Sequence, residues 1–158
     1  MKKYMKNSLL AALALLLLTI FHHVYGARIF ATPWRLHIIT PSLITLSVIT
    51  LLYYLFLRTK NKVFFTLYTL SVGITFGVLL GGFEGFYNHL IKNLLFFSGT
   101  EESTMEVLFP PPAYEMPSDF IFEFTGIMQA IPGAIIIYSL WKAVKIFRKN
   151  TNEVEQNG

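Results

Sequence analysis

Long apolar runs separated by short polar stretches dominate the pattern of this chain. Four runs each approach the roughly 20 residues that a helix needs to cross a lipid bilayer. They cover residues of about 8–27, 37–57, 63–92 and 119–145. The pattern predicts an all-α polytopic membrane protein, an antiparallel four-helix transmembrane bundle over residues 1–149. In this prediction residues 93–118 form a long loop, and residues 150–158 form a disordered cytoplasmic tail.

The connections between the runs indicate how the helices follow one another. The second connection, RTKNK at residues 58–62, is so short that the second and third spans must lie side by side and antiparallel. The loop at 93–118 carries three consecutive prolines at 110–112 and a fourth at Pro117. Because consecutive prolines favour the extended polyproline II conformation, we expect a stiff loop across one end of the bundle.

The positions of Lys and Arg give the predicted bundle an orientation. Ten of the thirteen lie before the first span, in the second connection or after the last span: Lys2, Lys3, Lys6, Arg58, Lys60, Lys62, Lys142, Lys145, Arg148 and Lys149. Since cytoplasmic segments are enriched in these residues, both termini are predicted to lie inside and the loops at 26–36 and 93–118 outside. The predicted location is a bacterial cytoplasmic membrane, with the lipid bilayer as partner. The net charge of +4 then requires no nucleic-acid partner.

The first span has a second interpretation. The basic segment MKKYMKN, the apolar run after it, and Val24 and Gly26 at the −3 and −1 positions are also typical of a signal peptide. Cleavage there would leave three spans in the same orientation. The two interpretations differ in whether the first span belongs to the mature bundle.

Composition narrows the chemistry that the chain can perform. Hydrophobic residues make up 54% of the chain and charged residues 14%, against about a quarter charged in soluble domains. The absence of cysteine excludes disulfides, iron–sulfur clusters, thiolate zinc sites and cysteine nucleophiles. The sequence also contains no glycine-rich phosphate loop, nucleophile elbow or HExxH motif. Histidines and carboxylates therefore carry the candidate chemistry.

The third span carries small residues at every fourth position, as in a glycine zipper. These residues are Gly73, Gly77, Gly81 and Gly85. Such a face lets another helix approach closely, and Glu84 and Asn88 fall within the arc that it covers. The fourth span repeats the pattern around Glu123, with Asp119 one turn earlier and with Gly126, Ala130 and Ala134 on the same face. We expect the two faces to pack together, and the glycine face is also a candidate surface for a homo-oligomer.

Polar side chains from all four spans converge on the end of the bundle predicted to lie outside. Imidazoles and carboxylates are ligands for Zn, Cu, Fe and Mn, and helical bundles build such sites from facing helices. The candidate metal ligands are His22, His23, His37, Glu84, His89 and Glu123. The candidate side chains for orienting these ligands or a cofactor are Tyr87, Asn88 and Asp119. The sequence thus predicts an outward-facing site that binds a metal ion or haem, with redox activity as one option.

Spacing along the helices limits which ligands can act together. His22 and His23 diverge by 100° on an α-helix, so both reach one ion only if the helix frays there. Glu84 and His89 are five residues apart, which departs from the Glu-x-x-His spacing of di-iron bundles. A haem b held by His89 opposite His22 or His23 is a second option.

Three interpretations that need no cofactor are alternatives to the metal site. In the first, Glu84 and Glu123 perform acid/base chemistry on a lipophilic substrate. In the second, the polar cluster only fixes how helices dock, and the chain is an accessory subunit. Transport is the third, although the cytoplasmic half of the spans offers few polar residues for a pathway.

Overall fold

The computed structural model describes residues 1–110 and 117–156, and these residues contain helices and no strand. In chain order the helices are α1 (Lys2–Ile29), a 3₁₀ helix (Pro33–Ile38), α2 (Ile39–Thr59), α3 (Lys62–Ser71), a π-helix (Val72–Ile91), α4 (Lys92–Phe97), α5 (Glu102–Leu108), α6 (Phe120–Met128) and α7 (Ala130–Gln156). Several of them join end to end, so the chain crosses the bundle four times.

Four continuous helical stretches are long and apolar enough to cross a membrane. We call them the first to fourth spans: Lys2–Ile29, Pro33–Thr59, Lys62–Phe97 and Phe120–Asn150. They confirm the all-α four-helix prediction, and they make the chain an integral membrane protein. The first and fourth spans pack closely along each other, as do the third and fourth. The second span lies at the edge of the bundle, since α2 buries only Ser42, Ile49 and Phe56.

Helix extends past the predicted third span, recurs within the third connection and continues into the tail. The loop predicted at 93–118 begins with α4 and contains α5, in which Met105 is buried. The fourth span continues into α7 as far as Gln156, past residue 150, where the sequence predicted disorder. Lys149 and Glu153 form an i,i+4 ion pair at 3.7 Å there, which favours helix. Residues 111–116, which include most of the expected polyproline segment, lie outside the described residues.

The second connection folds as its length predicted. Lys60 ends α2 in the left-handed conformation, with φ of 58°. Asn61 then begins α3, because its side-chain oxygen accepts a hydrogen bond of 2.8 Å from the backbone N–H of Val63. The second and third spans are consequently antiparallel neighbours.

The glycine face of the third span packs inside the chain against the fourth span. A Cβ added at Gly81 would collide with Gly133, and one at Gly85 would lie 2.6 Å from the backbone nitrogen of Ala130. Two backbones therefore touch at these positions, as the two small-residue faces predicted. Because the fourth span covers this face, the face lends no support to a homo-oligomer, and oligomerisation stays a prediction.

The centre of the third span is a π-helix, and this changes which residues share a side. In a π-helix each N–H bonds to the carbonyl five residues back, so residues five apart lie on adjacent turns. Glu84 and His89, which an α-helix would turn away from each other, thus project toward the same neighbours. The five-residue spacing, which departs from the Glu-x-x-His spacing of di-iron bundles, thus brings the two side chains to one side of this helix.

Candidate metal centre

Three imidazoles surround one carboxylate oxygen at the end of the bundle that we call the histidine end, defined by His22, His23, Glu84, His89 and Glu123. The Oε1 atom of Glu84 lies 3.9 Å from Nε2 of His22, 3.6 Å from Nε2 of His23 and 3.7 Å from Nε2 of His89. All three distances are too long for hydrogen bonds. The three imidazoles are therefore gathered around Glu84 without a hydrogen bond to its Oε1 atom.

Three of these residues form a tighter group. His22, Glu84 and His89 each offer a ligand atom, and these atoms lie within 4.8 Å of one another. A tetrahedral ion with bonds of about 2.0–2.1 Å holds its ligand atoms roughly 3.3–3.4 Å apart. The two distances to Glu84, 3.9 and 3.7 Å, would need to shorten by only about half an ångström. His23 lies beside the group and approaches it through Glu84.

The other ring nitrogen of each histidine has its own hydrogen-bond partner. Nδ1 of His23 lies 3.0 Å from the backbone oxygen of Arg35, an atom that can only accept. Nδ1 of His89 lies 2.9 Å from Oε2 of Glu123, and Nδ1 of His22 lies 3.0 Å from the hydroxyl of Thr125.

These partners assign the proton of each neutral ring. The Thr125 hydroxyl donates its hydrogen to the backbone oxygen of Ile121 at 2.7 Å, so it accepts from His22. Each neutral imidazole thus carries its hydrogen on Nδ1 and a lone pair on Nε2, which faces Glu84. Metal-binding histidines are held in this way, with the second nitrogen donating to a carboxylate, a carbonyl or a hydroxyl.

Glu123, predicted as a ligand, lies outside the three-residue group and contacts His89, a member of that group. It accepts hydrogen bonds from Nδ1 of His89, from Nζ of Lys92 at 3.2 Å and from the side-chain amide of Asn93. Both of its oxygens face donors of the third span. Glu84 is held more lightly, by a hydrogen bond of 3.1 Å from Asn88 to its other oxygen, Oε2. Asn88 therefore stands where the sequence placed it, beside the carboxylate.

Packing fixes the imidazole planes. Phe122 stacks on His22 with ring centroids 4.2 Å apart, and its edge meets His89 at 5.2 Å. Gly126 leaves space for His89, since a Cβ added there would collide with the imidazole ring. Phe122 thus contacts both imidazoles, and the ring of His89 also lies against Gly126.

His22 carries the least satisfied polar atom of the site. Its side chain is fully buried, and its Nε2 has no hydrogen-bond partner among the described residues. A buried polar atom without a partner costs on the order of 1–3 kcal/mol, and such atoms are rare in folded proteins. An ion bound between His22, Glu84 and His89 would supply the missing partner.

The structure places the remaining predicted residues away from this group. His37 is exposed and outside the three-residue group, although it lines a cavity beside that group, and its Nδ1 contacts the backbone oxygen of Trp34. Asp119 caps α6 by accepting from the N–H of Phe122 at 2.8 Å, and it also accepts from Tyr25 at 3.2 Å. Tyr87 donates to the backbone oxygen of Leu108 at 2.7 Å. These side chains position helices and loops, and they do not reach the three-residue group.

The sequence predicted that His22 and His23 both reach one ion only if α1 frays there. α1 continues unbroken to Ile29. The three-residue group accordingly includes His22 and not His23, whose ring stands edge-on to that of His22 with an interplanar angle of 81°.

Sequence reasoning missed four residues that support the site: Lys92, Asn93, Phe122 and Thr125. One signal was present for the first two, because Lys92 and Asn93 follow His89 by three and four residues, within one turn. The sequence contains no comparable signal for Thr125 and Phe122, since threonine and phenylalanine are common in apolar membrane-spanning segments.

A cavity of about 300 Å³ opens beside the three-residue group. Its inner wall includes Glu84, His89 and His23, and its outer part runs between the start of the second span and the third span. One side of the group is therefore open to a small molecule.

Comparison with known proteins gives no match for this chain: no family model, no curated protein and no solved structure matches it.

Proposed function

We propose that this membrane protein binds one divalent first-row transition metal ion at the histidine end, through His22, Glu84 and His89. The observation that carries the proposal is the fully buried Nε2 of His22, which has no hydrogen-bond partner in the part of the chain described. It faces the same carboxylate oxygen as Nε2 of His89. Two imidazoles and one carboxylate form the ligand set of many zinc enzymes and of non-haem iron(II) oxygenases.

Each ligand is pre-oriented for this role. The Nδ1 partners of His22 and His89, Thr125 and Glu123, keep the lone pairs of both rings directed at the site. Asn88 holds one oxygen of Glu84, which leaves Oε1 as the single oxygen offered to an ion. Partners of this kind are a usual accompaniment of metal ligands and account for about 10–100-fold in affinity.

The geometry favours a single ion over a haem. His22 and His89 meet edge to face, with ring centroids 4.6 Å apart and an interplanar angle of 89°. A haem with two axial histidines requires a flat porphyrin between them. Rings in direct contact leave no room for that plane.

The fourth position of the ion faces the cavity, where His23 lies. Because Nδ1 of His23 donates to the Arg35 carbonyl, its Nε2 offers a lone pair to whatever molecule occupies that position. An ion with three protein ligands and an accessible fourth position is the arrangement of catalytic sites, in contrast to closed structural sites. In the orientation predicted from Lys and Arg, this position opens toward the outside.

A purely structural cluster would be built differently. Side chains that only dock helices bond to each other, because unpaired polar atoms in a membrane are costly. Here the three Nε2 atoms stand 3.6–3.9 Å from Glu84, beyond hydrogen-bond length. This spacing supports an ion at the centre.

The proposal is tested by metal analysis of the purified full chain. Protein extracted without chelators is stripped, incubated separately with Zn²⁺ and with Fe²⁺ under anaerobic conditions, washed and analysed for metal. We expect one equivalent of ion, with an X-ray absorption spectrum that shows imidazole scattering and nitrogen or oxygen ligands at about 2.0–2.2 Å. The variant Glu84→Ala should bind more than about 100-fold more weakly.

The matched control is Glu102→Ala, which removes an exposed carboxylate from α5. This variant should bind like the unmodified chain. A folded protein that takes up no ion, or that binds equally well with and without Glu84, would exclude the proposal.

A further inference from the structure

A cleft opens between the third and fourth spans at the end of the bundle opposite the histidines. Its volume is about 480 Å³, which is within the range of small-molecule sites. One side of the cleft belongs to α3 and the other to the second half of α7. We call it the basic cleft and define it by six of its lining residues: Lys62, Phe65, Thr66, Val144, Phe147 and Arg148.

The basic cleft is cationic at one end and apolar at the other. Lys62 and Arg148 are exposed side chains near the ends of their spans. Leu70 follows Lys62 by eight residues, so it lies about 12 Å farther along the helix, and it is also exposed. The rings of Phe65 and Phe147 stack along the wall, with centroids 4.2 Å apart. A molecule that fits the whole cleft therefore has a charged head and an apolar body.

The sign of the charged head follows from the excess of cations at this end of the bundle. The start of the first span, the second connection and the end of the fourth span hold ten Lys and Arg side chains and only two carboxylate side chains, Glu153 and Glu155. Oε1 of Glu153 lies 3.7 Å from Nζ of Lys149. Because cations outnumber carboxylates by ten to two, the end stays positive whichever ion pairs form. The cleft therefore favours an anionic head.

The apolar body belongs in the membrane. Both sides of the cleft are parts of membrane-spanning helices, so the end at Leu70 faces lipid acyl chains. Lys62 begins α3, which adds the positive end of the helix dipole to the two cations. In the orientation predicted from Lys and Arg, this end lies at the cytoplasmic leaflet, which carries anionic lipids. A lipid presents its head group and its chains in the order that the cleft requires.

The surrounding charge also distinguishes between head groups. A zwitterionic phospholipid carries an ammonium group beside its phosphate, and the neighbouring lysines and arginines repel that group. A head group whose only charge is the phosphate avoids this repulsion. Arg148 offers a planar guanidinium that can donate two directed hydrogen bonds to phosphate oxygens, and Lys62 offers a compact positive charge.

We propose that the basic cleft binds one anionic glycerophospholipid, with its phosphate at Lys62 and Arg148 and one acyl chain along Phe65, Val144 and Leu70. The inference does not depend on the proposed metal site, because no histidine lines this cleft and the candidate ligands lie at the other end of the bundle.

The test measures which lipid the purified full chain binds. Native mass spectrometry follows titration of the delipidated chain in detergent micelles with phosphatidylglycerol and, separately, with phosphatidylcholine of the same acyl chains. We expect one phosphatidylglycerol per chain, bound about 25-fold more tightly than phosphatidylcholine, because each cation near an anionic head group contributes roughly fivefold. An excess of inorganic phosphate should leave the bound lipid in place.

Removal of the two cations tests the head-group contact. The double variant Lys62→Gln/Arg148→Gln should lose most of the preference for phosphatidylglycerol, a change of about 25-fold. The matched control is Lys2→Gln/Lys3→Gln, which removes the same charge from exposed positions at the same end but outside the cleft. This control should change the preference by less than about twofold, since exposed charges away from the site are screened.

A second pair of variants tests the cleft without changing its charge. Thr66→Trp adds a large side chain at an exposed position on the wall and should weaken phosphatidylglycerol binding about tenfold. Leu67→Trp, on the next residue of α3 and also exposed, lies outside the cleft and should have no effect.

Each remaining outcome bears directly on the proposal. Equal affinity for the two lipids in the unmodified chain would overturn it. Equal losses in the two double variants would show that diffuse surface charge attracts the lipid, and no site would remain. Displacement of the lipid by inorganic phosphate would identify free phosphate as the ligand. If Lys62→Gln/Arg148→Gln does not fold, the Thr66→Trp and Leu67→Trp pair decides. Removing zinc from the chain should leave lipid binding unchanged, which separates this result from the test of the metal site.

Discussion

Both ends of the bundle bury polar groups, but the hydrogen bonding of these groups differs between the two ends. At the opposite end from the histidines, the hydroxyls of Ser8 and Tyr68 lie 2.8 Å apart, and each lies 2.9 Å from the backbone oxygen of Met5. Phe56, Phe65 and Phe147 pack on one another in the same core cluster as Met5 and Tyr68, and we call this end the aromatic end. Each of the two hydroxyls there has a partner within hydrogen-bond distance. At the histidine end, by contrast, the Nε2 atoms of His22, His23 and His89 lie farther than hydrogen-bond distance from Oε1 of Glu84.

This is the difference expected between polar groups that hold a fold and polar groups that, as proposed for the histidine end, hold a ligand. A satisfied network in a membrane fixes the position of helices and needs nothing further. A buried group with directed lone pairs and an unmade hydrogen bond is unusual in a folded protein, and a bound ligand is one explanation for it. Because both kinds of polar group occur in one chain, a variant at one end is a control for a variant at the other end.

The largest expected effect comes from removing a ligand. His22→Ala should reduce zinc affinity more than about 100-fold, because it deletes a donor atom and not only an orienting contact. His37→Ala should leave zinc affinity unchanged, since His37 is exposed and lies outside the three-residue group. Competition titration against a chromophoric zinc chelator measures both. Equal losses in the two variants would mean that the structure assigns the wrong histidines.

A smaller effect is expected when the histidine ring is displaced and the ligands are kept. Gly126→Ala places a methyl group where the ring of His89 lies, so zinc affinity should fall about 10–100-fold. Gly73→Ala is the matched control on the third span, because a Cβ there meets only a terminal carbon of Leu140 at 3.4 Å. The same chelator titration applies. Unchanged zinc binding in Gly126→Ala would show that His89 is not held as described.

The sequence predicts the fold far better than it predicts the site. Four apolar runs, a short second connection and a stripe of small residues identify the spans and the pairing of the third and fourth spans, because hydropathy and residue size act locally. The same patterns predict that His22, Glu84 and His89 lie at one end of the bundle. Helix ends are less predictable: α5 and the continuation of α7 to Gln156 lie where polar composition indicated a loop and a tail.

Roles within the site depend on geometry that no local pattern carries. The π-helix places His89 on the same side as Glu84. The run of apolar residues and glycines in the sequence does not predict this helix type. Glu123 looked like a ligand because it is a carboxylate on a small-residue face. Its hydrogen-bond partners are His89, Lys92 and Asn93, all on another span, so only the packing of two helices reveals these contacts.

A weaker effect tests the proton assignment of His22. Thr125→Val removes the hydroxyl that accepts from Nδ1 of His22, and we expect zinc affinity to fall about tenfold. Thr45→Val is the matched control: Thr45 likewise donates to the carbonyl four residues back, at 2.8 Å, but it lies half-buried on α2, outside the three-residue group. ¹⁵N chemical shifts of the His22 ring in zinc-loaded protein give the tautomer directly. A hydrogen on Nε2 in that spectrum would contradict the assignment.

The smallest expected effect on zinc comes from the aromatic end. Tyr68→Phe deletes the hydroxyl that lies 2.8 Å from Ser8 and 2.9 Å from the Met5 carbonyl, which should lower the free energy of unfolding by about 0.5–1.5 kcal/mol. Zinc affinity should not change, because this network ends at Met5 and Ser8, near the start of the first span, whereas His22 lies near its end. Unfolding by denaturing detergent and the chelator titration measure the two quantities on the same sample. Tyr54→Phe, at an exposed position on α2, should change neither. Loss of zinc affinity in Tyr68→Phe would mean that the two ends are coupled and that the contrast between them does not hold.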